Sequence, residues 1–354
     1  MNFVISMDLH RWGYSCLAEN RQPPDGVARQ LLGQGHKFIH VDMDSYFVAV
    51  ELLDAPWLRE RPVAVGGKAT DRGVISTSNY IARRYGVRSG MATATAERLC
   101  PGLVLLPVRF ERYEAVTRRL DVIFRRYTSN VEFLSLDEAT LDVTGQVYCN
   151  GSATYMANRI RASIEQKLHL TASAGVAPLK YLAKMASEVN KPNGQFVIAP
   201  HQVQAFLKNL DIRKIPGVGP KTWAVLQALG CTKCADVTDE MIPALLRHLG
   251  AHGFYVWERC RGQESYEGKP GAVQSLGVEH TLPSDCNDFA CCLRELDELL
   301  GTLAKRLEVL GSAPPIVRNQ VKLKFSDFSI ATAEAPALAP VSYTHLRAHE
   351  TRED

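Results

Sequence analysis

Two short acidic clusters are the residues of this chain best suited to do chemistry. Asp42-Met43-Asp44 closes the apolar run Phe38-Ile39-His40-Val41, and Asp137-Glu138 follows Val131-Glu132-Phe133-Leu134-Ser135-Leu136. Each lies at the edge of a strand-like segment. Gathered into one small volume, three or four carboxylates repel one another unless divalent cations neutralise them. Such a cluster is the signature of two-metal phosphoryl transfer. Taken singly, each cluster also fits a strand end or hairpin tip rich in turn-forming carboxylates, so the reading depends on a fold that joins them.

The hydrophobic periods between Phe38 and Ala177 supply that fold. A strand over 38–42 precedes a helix over about 111–127, where Tyr113, Val116, Leu120, Phe124 and Tyr127 form one face. Strands over 131–135 and 139–143 make a hairpin whose tip carries Asp137 and Glu138. Ser152 offers an N-cap to a helix with Ala153, Met156, Ala157, Ile160, Ile164 and Leu168 on one side, before a small-residue strand over 171–177. The order β-α-β-β-α-β is the ferredoxin-like split βαβ pattern, in which the first strand can lie beside the central hairpin and make Asp42 and Asp137 neighbours. Residues 46–108 are too many for a loop. Their own strand (72–76) and helix (79–85, closed by Gly86) mark an inserted subdomain.

Beyond Lys191-Pro192-Asn193-Gly194, short helices flank Ile215-Pro216-Gly217-Val218-Gly219-Pro220-Lys221, a helix-hairpin-helix pattern. Its glycines permit close backbone approach, and the second helix can present its positive end to a nucleic-acid phosphate without reading sequence. The same pattern fits a plain helix-helix turn. A polar stretch then leads to a last block: a strand over 275–282, a long amphipathic helix over about 288–310, and a strand over 317–325. There Lys322 and Lys324 alternate with Val321, Leu323 and Phe325, as either a solvated or a phosphate-tracking face requires.

With 354 residues the chain exceeds one ordinary core, and its net charge of +3 decides nothing about partners. Its nine cysteines have no repeated spacing, which argues against a disulfide framework and for a reducing, cytoplasmic setting. Cys231-Thr232-Lys233-Cys234 lacks the second pair that a zinc site needs and reads as structural. No run is apolar enough to span a bilayer. Residues 1–36 read as a detached extension, disordered or from a start placed too far upstream. Residues 341–354 resemble a translated cloning adapter and are set aside.

Residues 37–330 resemble the Y-family DNA polymerases. The likeness rests on His40-Val41-Asp42-Met43-Asp44-Ser45-Tyr46-Phe47, Gly73-Val74-Ile75-Ser76-Thr77-Ser78-Asn79-Tyr80 with Ala82-Arg83, Leu134-Ser135-Leu136-Asp137-Glu138-Ala139, Ala174-Gly175-Val176-Ala177, Lys184, Asn190-Lys191-Pro192-Asn193-Gly194 and the 215–219 hairpin. It implies an α+β multidomain right hand: a ferredoxin-like palm (37–45 and 109–198), small fingers (46–108), a helix-hairpin-helix thumb (199–265), a linker (266–274) and an incomplete little finger (275–340). By the same resemblance Asp42, Asp137 and Glu138, with the Met43 carbonyl, hold two Mg²⁺ ions, Mn²⁺ being the alternative. Asp44 ranks below these. Phe47 is the steric gate against ribonucleotides. Tyr46, Tyr80, Arg83 and Lys191 join it around the incoming nucleotide, although Tyr80 and Arg83 at i, i+3 also fit a packed tyrosine beside a solvated arginine. Gly217, Val218, Gly219, Lys221, Lys322 and Lys324 contact DNA.

The implied activity is low-fidelity translesion synthesis, with primer-template DNA and deoxynucleoside triphosphates as partners and no membrane. The chain is expected to be a monomer. The family also docks to a sliding clamp through a C-terminal peptide that is not found here, and the second helix and last strand of the little finger are not found either. Two rival readings are a truncated DNA-binding remnant that extends poorly and a palm-type nucleotidyl cyclase.

Overall fold

The computed structural model describes residues 2–9, 35–265, 275–282, 284–286, 288–309 and 316–336. They form two compact units, one within 26–67 and 74–267, the other within 1–25, 68–73 and 268–354. Strand β1 (Asn2–Leu9) belongs to the second unit. The first opens with β2 (Phe38–Met43), which turns at Ser45, in left-handed backbone, into helix α1 (Tyr46–Glu51). An inserted subdomain follows as β3 (Val63–Gly66), β4 (Ile75–Ser78), α2 (Tyr80–Arg84), α3 (Thr93–Leu99) and β5 (Val104–Leu106). Asn79 caps α2 by accepting a bond from the Ala82 amide.

The palm continues through α4 (Phe110–Phe124), β6 (Val131–Phe133), β7 (Glu138–Asp142), α5 (Ala153–Leu168), β8 (Ala172–Ala177), α6 (Lys180–Val189) and β9 (Gln195–Val197). Its sheet runs β6-β7-β2-β8-β9, so the first strand lies in the middle as the split βαβ order requires. Ser152 caps α5 by accepting from the Tyr155 amide, as its sequence position implies. Ile39, Val41 and Met43 of β2 join Tyr113, Leu120 and Phe124 of α4 and Met156, Ile160 and Ile164 of α5 in one apolar core. Helix α6, which lies beyond the split βαβ order, packs on the other face with Phe38. Its approach is so close that a Cβ on Gly175 would sit 2.0 Å from the Ala183 carbonyl oxygen. The short parallel strand β9 is likewise an addition.

Residues of α6 share a second core with the thumb, made of α7 (Val203–Lys208), α8 (Pro220–Ala228), α9 (Ile242–Leu249) and α10 (Ala251–Cys260). Cys231 and Cys234 are buried in it, in keeping with a structural role.

In the other unit, β10 (Ser275–Thr281), β11 (Ile316–Lys324) and β12 (Ile330–Pro336) join β1 in a sheet ordered β10-β1-β11-β12, against which α11 (Phe289–Val309) packs. This corrects the reading of residues 1–36 as a detached extension. Residues 2–9 pair antiparallel with β10 on one side and β11 on the other. An apolar, strand-favouring stretch thereby satisfies two rows of backbone groups that would otherwise be open edges. Cys286 and Cys291 are bonded, a local link that departs from the all-thiol expectation. Residues 10–34, the 266–274 linker and the adapter-like 341–354 lie outside the described residues. No helix among the described residues is long and apolar enough to cross a membrane.

Candidate active site

All six residues of β2 are buried, yet its two faces differ. Alternation sends Ile39, Val41 and Met43 into the apolar core and puts His40 and Asp42 on the α6 side. Asp42 is in register with Glu138 on β7 and Ser173 on β8. The Met43 amide donates to the Asp137 carbonyl at 3.0 Å, tying together the two acidic segments found in the sequence.

Ligand atoms of His40, Asp42 and Glu138 lie within 4.8 Å of one another. Asp137 stands one position farther out in the turn and accepts a bond from the Ser135 hydroxyl. The structure therefore brings Asp42 and Glu138 together as expected, and adds His40 where Asp137 was foreseen. The imidazole is fully buried. Its Nδ1 meets Thr140 Oγ1 at 3.0 Å, while Nε2 has no hydrogen-bond partner and faces Glu138 Oε2 at 3.9 Å.

Two lysines neutralise the carboxylates. Lys191 Nζ sits 2.6 Å from Asp42 Oδ1 and also pairs with Glu188, and Lys184 Nζ pairs with Glu138. Burial pushes the Asp42 carboxyl up to about 7, raised further by Glu138 and Glu188 and opposed by Lys191. Burial, then the charges of Lys184 and Lys191, lower His40 to about 3, which keeps the ring neutral. The buried Asp42 carboxylate, the partly exposed Glu138 and an unpartnered imidazole nitrogen fit a divalent cation.

Asp44 is buried but fully engaged. It accepts from Ser173 Oγ at 2.9 Å, the Asn193 amide at 2.8 Å and Tyr80 Oη at 3.4 Å. It therefore clamps the 190–194 loop and Tyr80. Arg83 donates to the Ser78 carbonyl at 3.0 Å and lies 4.7 Å over the Tyr80 ring. Tyr80 thus touches Asp44 and Lys191 touches Asp42, while Arg83 reaches the group only through the Tyr80 ring.

Tyr46 departs from the expectation of a nucleotide contact. Its side chain is buried, and its hydroxyl donates to the Tyr113 carbonyl at 2.8 Å. The apolar ring is drawn into the core beneath α4. Phe47, half-buried beside it, stacks on Tyr113 with centroids 4.2 Å apart. Tyr113 is fixed in turn by Glu51, which accepts from its hydroxyl at 2.8 Å and from Arg109 Nε at 2.9 Å.

The hairpin tip at Gly217, Val218 and Gly219 precedes α8, with Gly219 at its N-cap and Lys221 exposed in its first turn. Gly217 has φ +93°, and a Cβ there would meet Tyr255 at 3.1 Å. Lys322 and Lys324 project from β11 on the face opposite Val321 and Leu323, which pack with α11. His40, Ser173 and the role of Lys184 were missed. His40 was legible two residues before Asp42 on the same strand face, whereas Ser173 and Lys184 required the tertiary register.

Residues 41–188 match the impB/mucB/samB family, 201–230 the IMS family HHH motif, and 273–352 the impB/mucB/samB family C-terminal domain. The chain belongs to this family. It is 50% identical over 322 residues to "DNA polymerase IV" of Yersinia pestis (strain Pestoides F), covering 89% of this chain and 92% of that protein. Identity to "DNA polymerase IV" of Pectobacterium atrosepticum is 52% over 299 residues, 84% of this chain and 85% of that one. Among solved structures it resembles a Y-family DNA polymerase chimera of Dbh and Dpo4, with TM-score 0.79, 28% identity, and coverage of 89% of this chain and 95% of that one. An insertion ternary complex of Dbh DNA polymerase matches with TM-score 0.65 and 28% identity over 89% of this chain and 95% of that one. The right-hand architecture of the Y-family is therefore the architecture of this chain.

Proposed function

We propose that this chain is a template-directed DNA polymerase of the low-fidelity translesion class, adding deoxynucleotides to a primer 3′-hydroxyl. The observation that carries the reading is the register of Asp42 with Glu138, which sets a buried and a partly exposed carboxylate face to face across adjacent strands. Family membership supports it and weighs against a cyclase.

Asp42 and Glu138, with Asp137 and the Met43 carbonyl at the adjoining turn, would hold two Mg²⁺ ions, or Mn²⁺ in their place. Such ions, when bound, lower the pKa of the attacking hydroxyl and offset charge on the departing pyrophosphate. Lys184 and Lys191 neutralise the carboxylates until the cations displace them. Lys191, with Arg83 and Tyr80, then supplies donors to the triphosphate. The Phe47 ring, braced by Tyr113, Glu51 and Arg109, blocks a ribose 2′-hydroxyl by collision. The amides at the start of α8 take a DNA phosphate, and Lys322 and Lys324 track the backbone. We assign primer-template DNA and deoxynucleoside triphosphates as its partners, the monomer as its working form and the cytoplasm as its location. A sliding clamp is the further partner the family suggests.

The test is Mg²⁺-dependent extension of a labelled primer-template by the full chain and by Asp137→Ala. Extension by the parent alone supports the reading. DNA binding with no extension by either points instead to a non-catalytic remnant.

A further inference from the structure

Of the three side chains whose ligand atoms converge on the α6 face of the palm, His40 is the one without an oxygen donor. A site meant only for Mg²⁺ has no use for a nitrogen there, because Mg²⁺ takes oxygen ligands and retains water. The imidazole is nonetheless fully buried, and its Nε2 is unpartnered and aimed at the gap between Asp42 and Glu138. A buried nitrogen without a partner carries a cost unless something occupies that gap. The second ring nitrogen is already anchored: Nδ1 lies 3.0 Å from Thr140 Oγ1, and Thr140 is directly opposite His40 in register. An Nδ1–H donating to that oxygen leaves Nε2 as a bare electron pair, the usual outer arrangement of a metal-bound histidine. Across β8 the position opposite His40 is Gly175, packed against α6, so the ring is walled in.

We propose that His40 gives this cluster a second binding mode, in which Nε2 joins Asp42 and Glu138 around a borderline first-row cation such as Co²⁺ or Zn²⁺. The proposal rests on the carboxylates being a metal site and adds the nitrogen to it. Two carboxylates and one neutral imidazole balance a dipositive ion, and imidazole discriminates for these metals over Mg²⁺. Lys184 and Lys191 are paired with these two carboxylates, so binding displaces two ammonium groups and strengthens as their hold weakens.

The test uses the full chain without DNA or nucleotide, titrated with Co²⁺ and separately with Mg²⁺ by calorimetry, with the visible Co²⁺ absorption recorded alongside. Asp42→Asn defines the signal belonging to this site, since other histidines and cysteines contribute background. His40→Gln is expected to weaken the site-specific Co²⁺ component by about tenfold or more and to change its spectrum, with a much smaller change in Mg²⁺ affinity. Thr140→Val, which frees the ring without removing it, is expected to fall between, and it covers the case in which His40→Gln does not fold. Co²⁺ affinity and spectrum unchanged in both variants, with the Asp42→Asn loss intact, would overturn the role of His40 alone. Unchanged Co²⁺ and Mg²⁺ binding in Asp42→Asn would remove the metal site itself.

Discussion

The two faces of the palm sheet do opposite work with the same strand. On one side of β2, Ile39, Val41 and Met43 enter a continuous apolar core with α4 and α5. On the other, His40 and Asp42 are equally buried, but among lysines and a glutamate. The first arrangement gains free energy from removing apolar surface from water. The second costs free energy, because burial disfavours the ionised Asp42. Stability and chemistry are thus separated by a single residue step, and substitutions on the two faces are expected to separate as well.

The largest contrast comes from pairing Asp42→Ala with Ile39→Ala. Asp42→Ala is expected to lower primer extension by on the order of a thousandfold or more while leaving the melting temperature near or above that of the parent. Ile39→Ala is expected to cost about 2–5 kcal/mol in denaturant unfolding yet to retain extension at a permissive temperature. If Asp42→Ala melts as early as Ile39→Ala, the polar face also carries the fold and the contrast fails.

Phe47 is half-buried, packed against the palm core and stacked on Tyr113. Phe47→Val is expected to raise ribonucleotide incorporation relative to deoxynucleotide by on the order of a hundredfold, measured by single-nucleotide extension. Unchanged sugar selectivity would return Phe47 to the core as a packing residue.

A smaller effect sharpens the electrostatics of the polar face. The folded-state pKa of Asp42, about 7, is above its ordinary 3.8, so the folded chain keeps a proton that the unfolded chain has lost. That contribution is full below the unfolded value and disappears as pH rises through about 7. The metal-free chain is therefore expected to lose thermal stability from about pH 5 to pH 7.5, with the slope reduced in Asp42→Asn. The smallest effect is that of Lys184→Met, which frees Glu138 from its partially exposed ion pair. It is expected to tighten Mg²⁺ binding by a few-fold in calorimetry. Weaker binding would show that Lys184 holds Glu138 in position for the cation instead of competing with it.

Much of this site was legible because its parts are local. The apolar run ending at Asp42, the hairpin bearing Glu138 and the cap at Ser152 are written in a few neighbouring residues each, and the split βαβ order then predicts that β2 meets β7. The contacts that tune the site are not local. Lys184 reaches Glu138 only through the packing of α6 on Gly175, and Asp44 is satisfied by Ser173 and Asn193 from distant segments. Tyr46 and Phe47 are adjacent aromatics with opposite fates, decided by how α1 sits against α4. A three-residue strand such as β9 offers too little periodicity to detect.

The pairing of β1 with β10 and β11 bears on how the chain reaches its native state. Val4 lies opposite Lys322, roughly three hundred residues away along the chain. During synthesis β1 leaves the ribosome long before either partner exists. Its backbone must then stay unpaired while the palm, fingers and thumb are made, exposed to mispairing with other strands or other chains. The sheet holding β1 is therefore expected to be the last to close, and its closure to be slow and sensitive to protein concentration.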